Sequence, residues 1–322
     1  MKPRIIVTRR WPAVVERILA ERFDTTLNAG DIPLTPTQLK AAFLNFDAIL
    51  PTVSDKLPAT VFADEDLRTK LIANFGVGFS HIDLEASRQR GIVVTNTPGV
   101  LTDCTADIAL SLLLAVARRT GEGERQVRAG EWTGWCPTHM IGTKVSGKTL
   151  GIIGMGRIGK AVAKRAHFGF DMKIVFFNRS RVDDDQIRAM GANQLPTIED
   201  VLAQSDFVSL HCPGGAENRH LIDAKRIGAM KRSGFLINTA RGDVVDQDAL
   251  IDALESRSIA GAGLDVFAEE PWVSERLMRL ENAVLLPHLG SATEETRVAM
   301  GMKAVENLTA FFEGRPTPDK VA

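Results

Sequence analysis

Apolar positions in the first hundred residues alternate between two rhythms. Arg4–Val7, Ala48–Leu50, Leu71–Asn74 and Ile92–Thr95 are short apolar runs of strand length. Between them, Ala13–Arg22, Thr37–Leu44 and Leu84–Arg90 space their apolar side chains along one helical face. Strands separated by helices predict βαβ units and a parallel sheet, and right-handed crossovers make that sheet doubly wound. The rhythm restarts after Gly147. Thr149–Ile153, Lys173–Phe177, Phe207–Leu210, Phe235–Asn238, Gly263–Val266 and Ala283–Leu286 read as strands, and Ile158–Phe168 as a helix. Residues 130–146, with two tryptophans, Gly and Pro, read as an irregular connection.

The fold class expected is therefore α/β, with two doubly wound parallel-sheet domains. The last helical pattern, Glu294–Phe312, has no strand of its own to cover and is expected to return to the first domain. That domain would comprise 1–98 and 290–322, and the second 99–289. Ligands of such sheets bind beyond the strands' carboxyl ends, so a cleft between the domains is the expected site. Hinges near 98–102 and 288–293 would close it.

Composition narrows this picture mostly by exclusion. With 39 basic and 40 acidic side chains, the chain has no net field to attract nucleic acid or an anionic membrane. Cys104, Cys136 and Cys212 are scattered, so neither a disulfide framework nor a metal site is expected. The N-terminus enters strand-like sequence at once, and the longest apolar helical run, Ile108–Ala117, is too short to span a bilayer. A cytoplasmic protein is expected.

The strand TLGII leads into Gly154-Met155-Gly156-Arg157-Ile158-Gly159 and then a helix. In that context Gly154 serves a tight turn, Gly156 a close approach of pyrophosphate, and Gly159 close helix–strand packing. The helix N-terminus adds free N–H groups and its positive dipole end. A dinucleotide site is predicted. NAD sites carry an acid about 20 residues further on, for the ribose 2′-hydroxyl. Asn178 stands 19 residues after Gly159, followed by Arg179, Ser180 and Arg181. Arginine forks suit a 2′-phosphate, so NADP(H) is expected to be preferred, with NAD(H) as the alternative; the bland reading is a solvated basic loop.

A dinucleotide site serves hydride transfer, and if the acceptor were a keto acid the site would need a cation for the carboxylate, an acid for the developing alkoxide, and a group that orients the acid. Arg241 follows the strand FLIN, His288 follows AVLL, and Glu270 follows GLDV. A carboxylate beside imidazole favours its charged, proton-donating form. By composition alone Glu269 is as good an acid as Glu270; taken singly, an Arg after a strand is most often a surface residue and a lone His more often structural than catalytic. Three such residues at strand ends of one dinucleotide domain make a stronger pattern.

These residues belong to motifs that resemble the D-isomer-specific 2-hydroxyacid dehydrogenases, in the glyoxylate/hydroxypyruvate reductase (D-glycerate dehydrogenase) branch. The motifs are NFGVGFSHID (74–83), NTPGVLTDCTADIALSLLLA (96–115), GKTLGIIGMGRIGKAVA (147–163), LINTARGDVVD (236–246), GAGLDVFAEEP (261–271) and PHLGSAT (287–293). The resemblance covers nearly the whole chain. It implies a Rossmann cofactor domain, a flavodoxin-like substrate domain, and the residue order Arg241, Glu270, His288 for clamp, partner acid and acid/base. It further implies that Val77 and Gly78 bind the substrate carboxylate with their N–H groups, and that Asp265 faces the nicotinamide carboxamide. Thr105 would line the nicotinamide pocket, and Arg157 and Ile158 would lie at the pyrophosphate. His211, Pro213, Thr239, Ala240 and Gly290 complete the implied cofactor contacts.

The activity implied is reduction of glyoxylate and hydroxypyruvate to D-2-hydroxy acids, in a homodimer with the helix around Asp107–Arg119 at its interface. A helix buried within one subunit would explain the same apolar run. Leu101, Trp135 and Met140 read either as the wall of the substrate side-chain pocket or as ordinary packing. Cys104, where small residues are common, reads as a packed small side chain. Two rivals remain open at this stage. Some relatives are dinucleotide-sensing corepressors, and others are phosphoglycerate dehydrogenases, many with a C-terminal extension.

Overall fold

The computed structural model describes residues 1–322. The chain divides into two compact units, Met1–Leu101 with Ala292–Ala322, and Thr102–Ser291.

The first unit is built on five strands: β1 (Arg4–Val7), β2 (Asp24–Leu27), β3 (Ala48–Leu50), β4 (Leu71–Ala73) and β5 (Val93–Thr95). Their order is β2-β1-β3-β4-β5 and every pairing is parallel, the flavodoxin-like order of a doubly wound sheet. β3 and β4 are buried at every position, as their continuous apolar runs require. β2, of sequence DTTL, carries no apolar alternation and lies at the sheet edge, mostly exposed. Its pairing to β1 is a main-chain property that the polarity pattern does not carry.

The helix Glu294–Phe312 belongs to this unit and packs on the helix Ala13–Arg22 and on β4. A Cβ at Gly301 would lie 2.7 Å from a Val15 methyl carbon, so glycine lets the two helices touch. Thr293 caps the helix by accepting from the Thr296 N–H. Beyond it, Asp319 accepts from Lys303 and Asn307, and Val321 donates to the Val94 carbonyl.

The second unit holds seven parallel strands: β6 (Thr149–Ile153), β7 (Lys173–Phe177), β8 (Asn193–Gln194), β9 (Phe207–Leu210), β10 (Phe235–Asn238), β11 (Gly261–Leu264) and β12 (Ala283–Leu285). Their order is β12-β11-β10-β9-β6-β7-β8. The chain reverses its direction of winding between β6 and β9, the switch point at which Rossmann sheets bind dinucleotides. The glycine loop leaves β6 at that point.

β11 and β8 depart from the apolar pattern. β11 lies two residues earlier than Gly263–Val266, because its GAGL sequence hides a strand behind two glycines. A Cβ at Gly261 or Gly263 would come within 2.9 Å of Val116 or Leu112, on the helix Thr102–Arg118 that covers the sheet. β8 is only two residues long and polar, and no apolar pattern announces it. The helix Thr102–Arg118 buries Ala106, Ala109, Leu112, Leu113 and Ala117 in the core of its own unit, which accounts for its apolar run. Residues 130–146 form no helix or strand. No helix is long and apolar enough to cross a membrane.

Candidate active site

Gly154 has φ +96°, and a Cβ there would fall 2.8 Å from the main chain of His211 and Cys212. Only glycine lets the turn pass that close to the loop after β9. A Cβ at Gly159 would meet the Gly154 carbonyl oxygen at 2.3 Å, so the helix Arg157–Phe170 starts in direct contact with the turn. Gly156, by contrast, is exposed with open space where a Cβ would sit. Arg157 is exposed and Ile158 half-buried beside it. Open space over a bare main chain, at the unpaired N–H groups of a helix start, fits a pyrophosphate.

Asn178 follows β7, as the spacing requires. Its Oδ1 accepts from the Met155 N–H at 3.2 Å, and its Nδ2 donates to Ser180 O and Oγ. The amide thus braces the glycine loop and folds 178–180 beside it. Arg179 is 69% exposed and pairs with Glu217, and Arg181 is 87% exposed. Both guanidiniums can therefore reach a ligand at little cost, since exposed ion pairs are weak. Across the loop, the His211 ring is part-exposed by area yet ringed by protein. Burial holds its pKa down at about 3, and Ser209 Oγ lies 2.8 Å from its Nε2. Cys212 beside it is pushed up to about 11 by burial, which keeps its thiol protonated, and Pro213 is exposed.

The turn after β10 is shaped by Asn238, whose side chain accepts from the Ala240 N–H and donates to the Arg241 carbonyl. The apolar pattern presents Asn238 only as the last residue of a strand, although Asn at a strand-to-turn junction is a local turn signal. Thr239 is buried and its Oγ1 has no hydrogen-bond partner. Arg241 is largely enclosed, and its one side-chain hydrogen bond runs from Nη1 to Ala240 O. Burial lowers its pKa, while the charges of Glu270 and Asp243 act the other way. An enclosed guanidinium with so few of its donors used leaves donors that an anion can take.

His288 Nδ1 lies 2.7 Å from Glu270 Oε2, and Glu270 Oε1 accepts from the Phe267 N–H. Glu269 is exposed and meets His288 nowhere, so geometry decides between the two acids that composition left equal. Burial alone would raise the Glu270 pKa. The hydrogen bond and charge of His288 outweigh it, so the pKa falls below the ordinary carboxyl value. Glu270 and Arg241 interact through charge without a hydrogen bond.

His288 itself sits at φ +55°, a left-handed conformation rare outside glycine. Asp265 enforces it. Its carboxylate accepts from the Leu289 and Gly290 N–H groups at 2.6 and 2.8 Å, and its carbonyl accepts from the His288 N–H. Burial raises the Asp265 pKa. Thr105 closes the clamp by donating to the Gly290 carbonyl at 2.9 Å. The resemblance puts Asp265 and Thr105 at the nicotinamide; within the protein both hold the turn that presents His288.

In the first unit, Val77 and Gly78 follow β4. Neither N–H has a hydrogen-bond partner, so both are available to an anion. Of the residues read as pocket wall or packing, Leu101 is buried, Trp135 is 82% exposed, and Met140 lies near Gly123 in the irregular connection. No group of His, Cys, Asp and Glu side chains converges as a metal site.

The family described as D-isomer specific 2-hydroxyacid dehydrogenase, NAD binding domain, matches residues 110–290. A glyoxylate reductase of Thermococcus litoralis is 45% identical over all of this chain and 97% of its own length. Among solved structures, the TT0316 protein of Thermus thermophilus superposes with a TM-score of 0.89 at 43% identity, covering 99% of this chain and 100% of that one. The NADPH-dependent glyoxylate/hydroxypyruvate reductase of Sinorhizobium meliloti, in complex with NADP and malonate, gives a TM-score of 0.87 at 34% identity, covering 100% and 97%. The two parallel sheets, the glycine loop and these likenesses agree, and the chain belongs to the D-isomer specific 2-hydroxyacid dehydrogenase family of oxidoreductases, in the branch that holds the glyoxylate reductases.

Proposed function

We propose that this enzyme reduces small unphosphorylated 2-keto acids, glyoxylate and hydroxypyruvate foremost, to D-2-hydroxy acids, and prefers NADPH to NADH. The observation that carries the reading is the 2.7 Å His288–Glu270 pair, in the same unit as an enclosed Arg241 with unused donors. The names of the relatives add the substrate class.

Arg241 holds the keto acid's carboxylate with its fork and polarises the carbonyl through its charge. The Val77 and Gly78 N–H groups serve as carboxylate donors as well. His288 enters as imidazolium and gives its Nε2 proton to the carbonyl oxygen, while Glu270 holds Nδ1 and stabilises the charged ring. The nicotinamide, when bound, supplies the hydride that reaches the carbonyl carbon. Gly154, Gly156, Arg157, Ile158 and Gly159 would hold the pyrophosphate, and Thr105, His211, Pro213, Thr239, Ala240, Asp265 and Gly290 would border the rest of the dinucleotide.

The cofactor preference rests on residues 178–181. No acid stands among them to meet a 2′-hydroxyl, and the exposed Arg179 and Arg181 pair only at the surface, with Glu217 and Asp183. Initial rates on glyoxylate, hydroxypyruvate, pyruvate and phosphohydroxypyruvate, each with NADPH and NADH, test both parts. Turnover of the unphosphorylated acids, faster with NADPH, is expected. Tight cofactor binding without turnover of any keto acid would move the protein to the sensing role of some relatives.

A homodimer is the proposed assembly. Val127, Trp132, Trp135 and Ile141 expose apolar surface on and beyond the helix Thr120–Arg128, as an interface would. Sedimentation at the monomer mass would overturn it.

A further inference from the structure

The carbonyls of the Val77–Gly78 loop are held by buried side-chain amides. We propose that Asn74 is the positioning residue of this carboxylate site, with His81 fixing the orientation of its amide. The inference rests on the reading of Val77 and Gly78 as carboxylate donors.

Asn74 is 1% exposed and lies at the end of β4. Its Nδ2 donates to Gly76 O at 3.1 Å and to Gly78 O at 3.0 Å. The carbonyl between them, Val77 O, accepts from Asn96 Nδ2 at 2.8 Å, and Gly76 O also accepts from the Thr97 N–H. Three successive carbonyls are thereby pulled inward. In a planar trans peptide the N–H points opposite to the carbonyl of the same unit. Pinning Gly76 O therefore turns the Val77 N–H away from Asn74, and pinning Val77 O turns the Gly78 N–H away from Asn96. The two free donors owe their direction to amides behind them.

The arrangement also fixes a proton. Asn74 Oδ1 lies 3.0 Å from His81 Nε2. Because Nδ2 must face the two carbonyls, Oδ1 faces the histidine, and His81 must donate from Nε2. A ring that accepted there would favour the flipped amide and set Asn74 Oδ1 against two carbonyl oxygens. Space is tight on the same loop: a Cβ at Gly76 would sit 3.0 Å from a Val53 methyl carbon.

The test uses the full protein saturated with cofactor and oxamate, a carboxylate of keto acid shape, as calorimetric probe. Asn74→Asp removes the donor while keeping the shape, and should raise the oxamate Kd about tenfold. His81→Phe should raise it several-fold, and His81→Gln, whose amide still donates, should restore it. Cofactor affinity should hold, and the keto acid KM should rise with kcat nearly unchanged. If Asn74→Asp does not fold, the His81 pair decides. A folded His81→Phe or Asn74→Asp protein with wild-type oxamate affinity overturns the assignment while leaving keto acid turnover by the wild type intact. A wild type that neither binds oxamate nor turns over keto acids overturns both this assignment and the proposed function.

Discussion

The two α/β units use the carboxyl ends of their sheets in opposite ways. After β4, the first unit offers main-chain N–H groups, and the side chains of Asn74 and Asn96 hold them in place. After β10, β11 and β12, the second unit offers side chains, and Asp265 holds the main chain that carries one of them. The difference follows from the work proposed for each. Recognising a carboxylate needs only dipoles of fixed direction, which the backbone supplies in any sequence. Moving a proton needs a group that titrates, which the backbone lacks. One site should therefore tolerate changes of the residues that do the binding, and the other should not.

His288→Gln is the severest trial of that contrast. Glutamine retains shape and a hydrogen bond but delivers no proton, so turnover should fall about 10³-fold while cofactor affinity measured by fluorescence titration stays unchanged. Near-normal turnover would remove His288 from the chemistry. Arg241→Lys keeps the charge and loses the fork. The keto acid KM should rise about a hundredfold in steady-state assays, and a change under threefold would mean the clamp lies elsewhere.

Glu270→Gln tests the pair by pH. The Glu270 pKa is held below its ordinary value, so its contribution to stability is complete above the ordinary carboxyl range and is lost as pH falls through the depressed value. The Tm gap between wild type and Glu270→Gln should narrow on acidification, and turnover should drop about tenfold. A gap that is flat with pH would show that the pair contributes nothing to folding. The smallest effect belongs to the first unit. Val77→Ala leaves every main-chain donor in place, so kcat/KM should stay within about twofold of wild type. A large loss would show that the Val77 side chain, and not its N–H, carries recognition.

Most strands are legible because buried parallel strands write themselves as apolar runs; Thr149–Ile153 and Lys173–Phe177 appear in the structure with the bounds their sequences suggest. What the pattern hides is polar or bare. β2 and β8 sit at sheet edges without apolar alternation, and β11 is disguised by the glycines that admit the helix above it. The site divides in the same way. Arg241, His288 and the glycine loop stand next to strand ends and can be located from them. Composition does not separate Glu270 from Glu269, because neighbouring acids differ only in direction; the family resemblance points to Glu270, and the coordinates set it beside His288. Asn74 and Asn238 are invisible for another reason. Their work is done on carbonyls two to four residues away, and a single buried Asn in a sequence does not say which way its amide faces.

The placement of the helix Glu294–Phe312 has a consequence for how the molecule is made. The second unit is one unbroken stretch, Thr102–Ser291, and all of its strands are translated before that helix. The first unit cannot be finished until the helix Glu294–Phe312 is made and Gly301 comes to rest against Val15. A ribosome-bound chain therefore spends the whole synthesis of its cofactor-binding half with the flank of its first helix uncovered, which leaves apolar surface open during that interval.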